Sequence, residues 1–359
     1  MCFPTLLCKT SSLPSSGKLH TPRFFFGRLS LADMFRYRVQ KYIHLFGGDP
    51  DSVTVLSHSA GAGSIAHHLT ASTEDDTVPF QRAILQSPGW EHANSTQIWQ
   101  DVLTTASMFS GEPIRTGKDL AKLDSDTLSR INAHVVYTSS NGSFTFGPTP
   151  DGGYVPDFPE KSLLRGDFNT RPDLMIGHNS NEAGNFMSRN INSEKELVTL
   201  LWDVLSKFHA SSVEHILGVL YPPPGPSTPY STHGERAALL VSESSFACNT
   251  HFLAAASGNS TLNYRFQVAP SVHGLDLPFT FFHGGKQVPK ELAQVMQLYF
   301  TNFAKYGSVN FGQVEGLSDW PEYGDESRVR TFGIEGVGTT NDATKNARCD
   351  FWQGVEYVR

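Results

Sequence analysis

Apolar and polar positions along the chain follow two periods. Val53, Val55 and Leu56 form a short β-rich run that gives way to the small residues Ser57-His58-Ser59-Ala60-Gly61-Ala62-Gly63, and a helical pattern runs from Ser64 to Leu69. The pattern predicts a strand, a sharp turn and a helix. Arg82 to Ser87 predicts a second short strand, stopped by Pro88-Gly89, and Asp173 to Gly177 predicts a third. Thr261 to Val268 alternates as a fourth. Between them lie helical stretches at 97–133 (clearest from Lys118 to Ile131), Glu194 to Leu220, 235–257 and Leu292 to Tyr306. The last carries Tyr299, Phe300 and Phe303 on one stripe, read as core. Upstream, Phe24 to Ser30 predicts a buried strand. Leu31 to Leu45 carries apolar residues at 31, 34, 35, 39, 42, 43 and 45, a helical stripe ended by Phe46-Gly47-Gly48-Asp49-Pro50. The tail to Arg359 reads as short strands and turns. Strands alternating with helices predict an α/β protein with a mostly parallel central sheet flanked by helices.

Punctuation divides this pattern. Residues 9–23 are rich in Ser, Pro, Lys and Thr, so 1–23 reads as a disordered or unrelated leader and 24–359 as one domain. Phe144 to Pro159 is an aromatic, Gly- and Pro-rich connection. Tyr221 to Tyr230 holds five prolines and reads as a loop. The 359 residues, 39% hydrophobic and 18% charged, suit a globular protein with a substantial core. A net charge of -7 argues against nucleic-acid partners. No run has the length of a membrane-spanning helix, and the start, interrupted by Pro4, makes a poor secretory signal. Cysteines stand at 2, 8, 248 and 349. Asn94, Asn141 and Asn259 head N-x-S/T glycosylation triplets.

The chemistry gathers at predicted strand ends. Ser57-His58-Ser59-Ala60-Gly61 is a variant of the G-x-S-x-G turn that lifts a nucleophilic serine above a sheet, with Ser57 in the first glycine's place. Such a serine needs a base and a carboxylate that orients it. Glu182 follows the Asp173–Gly177 strand and His273 follows the Thr261–Val268 strand, in the order Ser, acid, His. Asp157, Glu160 and Asp276 are alternative acids. Asp276, three residues past His273, suits a structural role better. Ser87 is placed to hydrogen-bond near the acid, or to serve only the turn. His58 adjoins Ser59, but side-chain alternation at the turn points it away, so His273 is preferred as base.

The chain resembles the type-B carboxylesterases, the family of cholinesterases and fungal lipases. Phe46-Gly47-Gly48-Asp49-Pro50 with Ser59-Ala60-Gly61 resembles the nucleophile signature. Asn179-Ser180-Asn181-Glu182 with Gly184-Asn185-Phe186 resembles the acid loop. His273-Gly274 with Asp276-Leu277-Pro278-Phe279 resembles the histidine loop, and Phe303 to Gly307, Asn310 and Trp320-Pro321 the C-terminal pattern. The resemblance implies an α/β-hydrolase fold and hydrolysis of small-molecule or lipid carboxylic esters through an acyl-enzyme, with no metal and no organic cofactor. It implies Ser59 as nucleophile, Glu182 as acid, His273 as base and the Ala60 N–H as one oxyanion donor. It also implies a disulfide between Cys248 and Cys349 and an extracellular setting.

The departures are specific. The family's H-G-G-G oxyanion loop has no counterpart between Met1 and Asp51, and the early strands are expected to be missing. A non-catalytic binding protein on the same fold, or an inactive truncated product, is therefore the alternative expectation. The Leu31 helix is about two residues short of the family pattern, a rotation of about 200°. Position 58 is His where the family commonly has Glu, and Ala183 replaces a usual glycine.

Overall fold

The structure, a computed structural model, describes residues 38–72, 78–90, 95–139, 145–186, 191–204, 210–311 and 318–355. The β-rich runs become strands β1 (Thr54–His58), β2 (Arg82–Gln86), β3 (Asp173–Asn179) and β4 (Leu262–Phe266). Strands β5 (Arg328–Gly333) and β6 (Gly336–Asn341) follow. They lie side by side in chain order; β1 to β5 are parallel and β6 returns antiparallel. One register line runs His58, Gln86, Gly177, Tyr264; β1 and β2 end on it and β3 and β4 run two residues past it, so all four carboxyl ends lie at one edge. That shared edge is where open parallel sheets place their sites.

The main helices are α1 (Ala60–Leu69), α2 (Ser95–Ser110), α3 (Ser125–Thr138), α4 (Pro159–Arg165), α5 (Glu194–Val204), α6 (His233–Ser242), α7 (Cys248–Ala256), α8 (Lys290–Tyr306) and α9 (Ala347–Gly354). Alternation along the strands sorts them into layers. Ala83, Leu85, Leu174 and Ile176 face one core with Ile65 and Leu69 of α1, Leu240 of α6 and Phe252 of α7. Ile84 and Met175 face the other side, against Met296, Tyr299, Phe300 and Phe303 of α8. The aromatic stripe on α8 is thus core, as expected. Helices α2 and α3 pair over a smaller core of Val102, Ala106, Leu128, Ile131 and Val135.

Three expectations need correction. The stretch from Lys118 to Ile131 is not one helix. Thr116 and Asp119 close a capping box on the short turn Gly117–Leu120, and Asp124 starts α3 by accepting from the Thr127 N–H. Each cap supplies acceptors that start a new helix, so two local signals override one continuous periodicity. The tail also holds more than strands and turns. Residues of the Cys349-Trp352 patch lie in α9, capped by Asn346 Oδ1, which accepts from Arg348 N and Cys349 N. Finally, the described end of the Leu31 helix tightens at Ile43–Phe46 to a three-residue turn, ended by left-handed Gly47. That shift in period breaks the apolar stripe and leaves Leu45 69% exposed.

The Cys248–Cys349 disulfide forms and ties α7 to α9, both cysteines being fully buried. The leader 1–23, the Phe24–Ser30 strand, Cys2, Cys8, Asn94 and Asn141 lie outside the described residues. Asn259 sits half-buried in the turn after α7, with its N–H on Ala254 O.

Candidate active site

Ser59 stands between β1 and α1 with φ 59° and ψ -128°, a conformation that an L-residue rarely adopts. The turn is held from three sides: Ser59 N–H donates to Gln86 O, and Ser59 O accepts from Gly63 N and Gly89 N. The Ser57 side chain fills the space beside Gly61, where an added Cβ would meet Ser57 Oγ at 2.0 Å. Serine at position 57 is therefore compatible because position 61 has no side chain. Ala60 opens α1, whose first N–H groups have no intrahelical acceptor.

The strand β3 runs two residues beyond its predicted end, to Asn179, and Glu182 begins a tight turn after it. Glu182 is fully buried. Its Oε2 meets His273 Nδ1 at 2.5 Å, and its Oε1 accepts from Ser87 Oγ at 2.8 Å and from Asn179 N at 2.5 Å. The acid and histidine loops are zipped together by backbone: Asn181 N donates to Ser271 O and His273 N to Glu182 O, while Asn185 Nδ2 donates to His273 O. The His273 ring lies 4.3 Å from the Phe246 ring and 5.2 Å from that of Phe186, centroid to centroid. Its Nε2 is buried and makes no hydrogen bond among the described residues.

Beneath this set lies a buried polar layer. Asp276, fully buried, accepts from Tyr264 OH at 2.7 Å, Gln86 Nε2 at 2.9 Å and Asn179 Nδ2 at 3.3 Å. Burial, with Asp276 next, pushes the Tyr264 phenol well above its ordinary value, so it stays a donor. The Tyr264 ring crosses β3 at Gly177, where any side chain would collide with it, an added Cβ lying 2.0 Å from the ring. Asp276 is thus a structural group and leaves Glu182 as the partner of His273. The other alternative acids are engaged elsewhere, Asp157 with Arg165 and Glu160 with Trp90.

The structure departs from the sequence reading at His58. Its ring does not point away from the site; it lies 4.4 Å from the His273 ring, tilted by 45°. The roles missed from sequence are those of Gln86, Tyr264 and Phe246, which lie far from Glu182 in the chain, and those of Asn179 and Phe186, which stand in the acid-loop pattern without any sign of what they contact. Of the two roles the sequence leaves open for Ser87, the structure shows the first: its hydroxyl reaches Glu182. Among the described residues no cluster of three or more His, Cys, Asp or Glu is arranged to hold a metal ion. No helix among them is long and apolar enough to cross a membrane.

A family model described as "Carboxylesterase family" matches residues 36–352. Carboxylesterase patB of Aspergillus clavatus is 33% identical over 324 residues, 89% of this chain and 57% of that protein. A secreted lipase of Arthroderma benhamiae is 26% identical over 331 residues, 88% of this chain and 62% of that protein. Among solved structures, EstA of Aspergillus niger superposes with a TM-score of 0.78 at 21% identity, over 90% of this chain and 68% of that one. The chain therefore spans less than two thirds of the length of these curated relatives.

Proposed function

The chain belongs to the carboxylesterase family, and from that premise we propose that it hydrolyses small-molecule carboxylic esters through Ser59, Glu182 and His273. The observation that carries the reading is the pair of fully buried Glu182 with His273 at the same sheet edge as a serine with a left-handed backbone. Ser59 Oγ attacks the ester carbonyl while His273 Nε2 takes its proton. Glu182 holds the Nδ1–H and stabilises the imidazolium that results. The Ala60 N–H donates to the oxyanion as the tetrahedral intermediate forms. His273 then returns the proton to the departing alcohol, leaving an acyl-serine. Water, deprotonated by the same imidazole, releases the acid.

We place the domain at 24–359, supported by the family match over 36–352. An extracellular setting is supported by the secreted lipase relative and the disulfide. The test is an activity probe. A fluorophosphonate should label the wild-type chain and hydrolysis of a p-nitrophenyl ester should accompany it, with both lost in Ser59→Ala. Equal labelling of the two proteins ends the assignment. A folded wild type that neither labels nor hydrolyses would favour a binding role.

A further inference from the structure

Two half-buried imidazoles meet at the elbow, and the proposed chemistry uses only one. His58 lies against His273 with ring centroids 4.4 Å apart, and the Nε2 of each ring is buried without a hydrogen bond among the described residues. Left-handed Gly274 borders the same contact: a Cβ there would stand 3.4 Å from His58 Cε1, in ordinary van der Waals contact. Phe246 also packs on the His273 ring, at 4.3 Å between centroids, and Glu182 occupies its Nδ1. His58 is therefore one wall of the slot in which the base sits.

We propose that His58 is a positioning residue for His273, a neutral imidazole that holds the base at the elbow and sets the pH at which the base stops accepting the Ser59 proton. This rests on the ester-hydrolase reading above.

The electrostatics follow from what faces His58. These groups are His273 and Asp276 from the chain after β4, and Glu182 after β3. Burial lowers the proton affinity of His58 most and His273 lowers it further, against smaller opposing effects of Asp276 and Glu182. Two rings this close disfavour the doubly charged state, so a proton taken up belongs to the pair. During attack on an ester, charge must appear on His273. With His58 neutral, that charge meets Glu182 on Nδ1 and no cation from position 58. With a proton already on His58, it meets a cation, and the transfer from Ser59 is opposed. A carboxylate at position 58 would act oppositely, holding a proton on His273 at higher pH.

The experiment compares wild type, His58→Gln and His58→Glu in kcat/KM for a neutral p-nitrophenyl ester between about pH 4.5 and 8. The histidine Cε1 signals of the full chain are followed by NMR over the same range. His58→Glu should move the acid limb up by about one pH unit relative to His58→Gln. In the wild type, the two rings should show mutually perturbed titrations, and His273 a single-site curve in His58→Gln. A packing role alone would scale the rate by one factor at every pH and leave the limb in place. Superimposable limbs in folded Gln and Glu variants overturn the proposal, as do independent titrations of His58 and His273 in the wild type. Because the NMR readout needs no turnover, it decides the coupling even if the wild type proves unable to hydrolyse or label at Ser59, which would count against the ester-hydrolase reading instead.

Discussion

The carboxylate of Glu182 is oriented by residues that have no role in bond making. Ser87, itself left-handed at φ 46°, donates to Oε1, and Asn179 contributes its N–H to the same oxygen while its amide bonds Ser87 Oγ at 3.2 Å. With Oε1 held twice, Oε2 is aimed at His273 Nδ1. A hydrogen bond to a charged group contributes about 1.5–3 kcal/mol. Ser87→Ala should therefore lower kcat roughly tenfold or more, with KM nearly unchanged. Steady-state kinetics on a folded variant checks this, and an unchanged kcat would assign Ser87 to the turn alone. Ser59 was legible in the sequence because strained elbows demand small neighbours. Ser87 could not be weighed, because a serine after a strand serves many turns equally well, and only the fold brings it 95 positions along the chain to Glu182.

At the scale of elements, α9 is fastened to the helical layer by more than the disulfide. Arg348 Nε and Nη2 donate to the two carboxylate oxygens of buried Glu243, at 2.6 and 2.7 Å. Tyr221 OH bonds the same carboxylate and accepts from Trp352 Nε1. The cluster surrounds Cys248–Cys349, and Phe246, two residues before Cys248, packs on His273. The disulfide closes a separation of 101 residues, worth about 4–5 kcal/mol in the chain-entropy account. A Cys248→Ala/Cys349→Ala pair should lower the thermal midpoint by roughly 5–10 °C. Calorimetry of oxidised wild type against the variant reads this directly, and an unchanged midpoint would refute it. The pairing was implied by family resemblance, not by spacing. The helix that carries Cys349 was missed because its start depends on one cap, Asn346, and not on apolar periodicity.

Across the whole molecule, several histidines are folded away from protons. Burial lowers the proton affinity of His178, His251 and His58 below the ordinary 6.5. The sign follows by linkage. Below about pH 6.5 the unfolded chain binds protons that the folded chain refuses, so stability is full above that value and falls as pH drops. The thermal midpoint should decline from about pH 7 to 5, and replacing His178 with Gln should flatten that slope. A midpoint that is level or rises toward pH 5 would contradict this. Burial does not separate the two acids, since Asp276 and Glu182 are both fully buried; their partners do, Asp276 accepting from Tyr264 and Glu182 meeting His273.

The sequence by itself determined the α/β alternation, the elbow at Ser59 and the order of Glu182 and His273. Those are local properties: side-chain period, turn sterics and position just past a strand. Tertiary structure alone decided which carboxylate meets His273, that Ser87 and Asn179 hold it, and that His58 lies against the His273 ring. Each of those depends on the register of parallel strands, His58 to Gln86 to Gly177 to Tyr264, which brings distant residues to one edge. Parallel pairing is set by packing on both faces of the sheet, and no single segment of the chain carries that information.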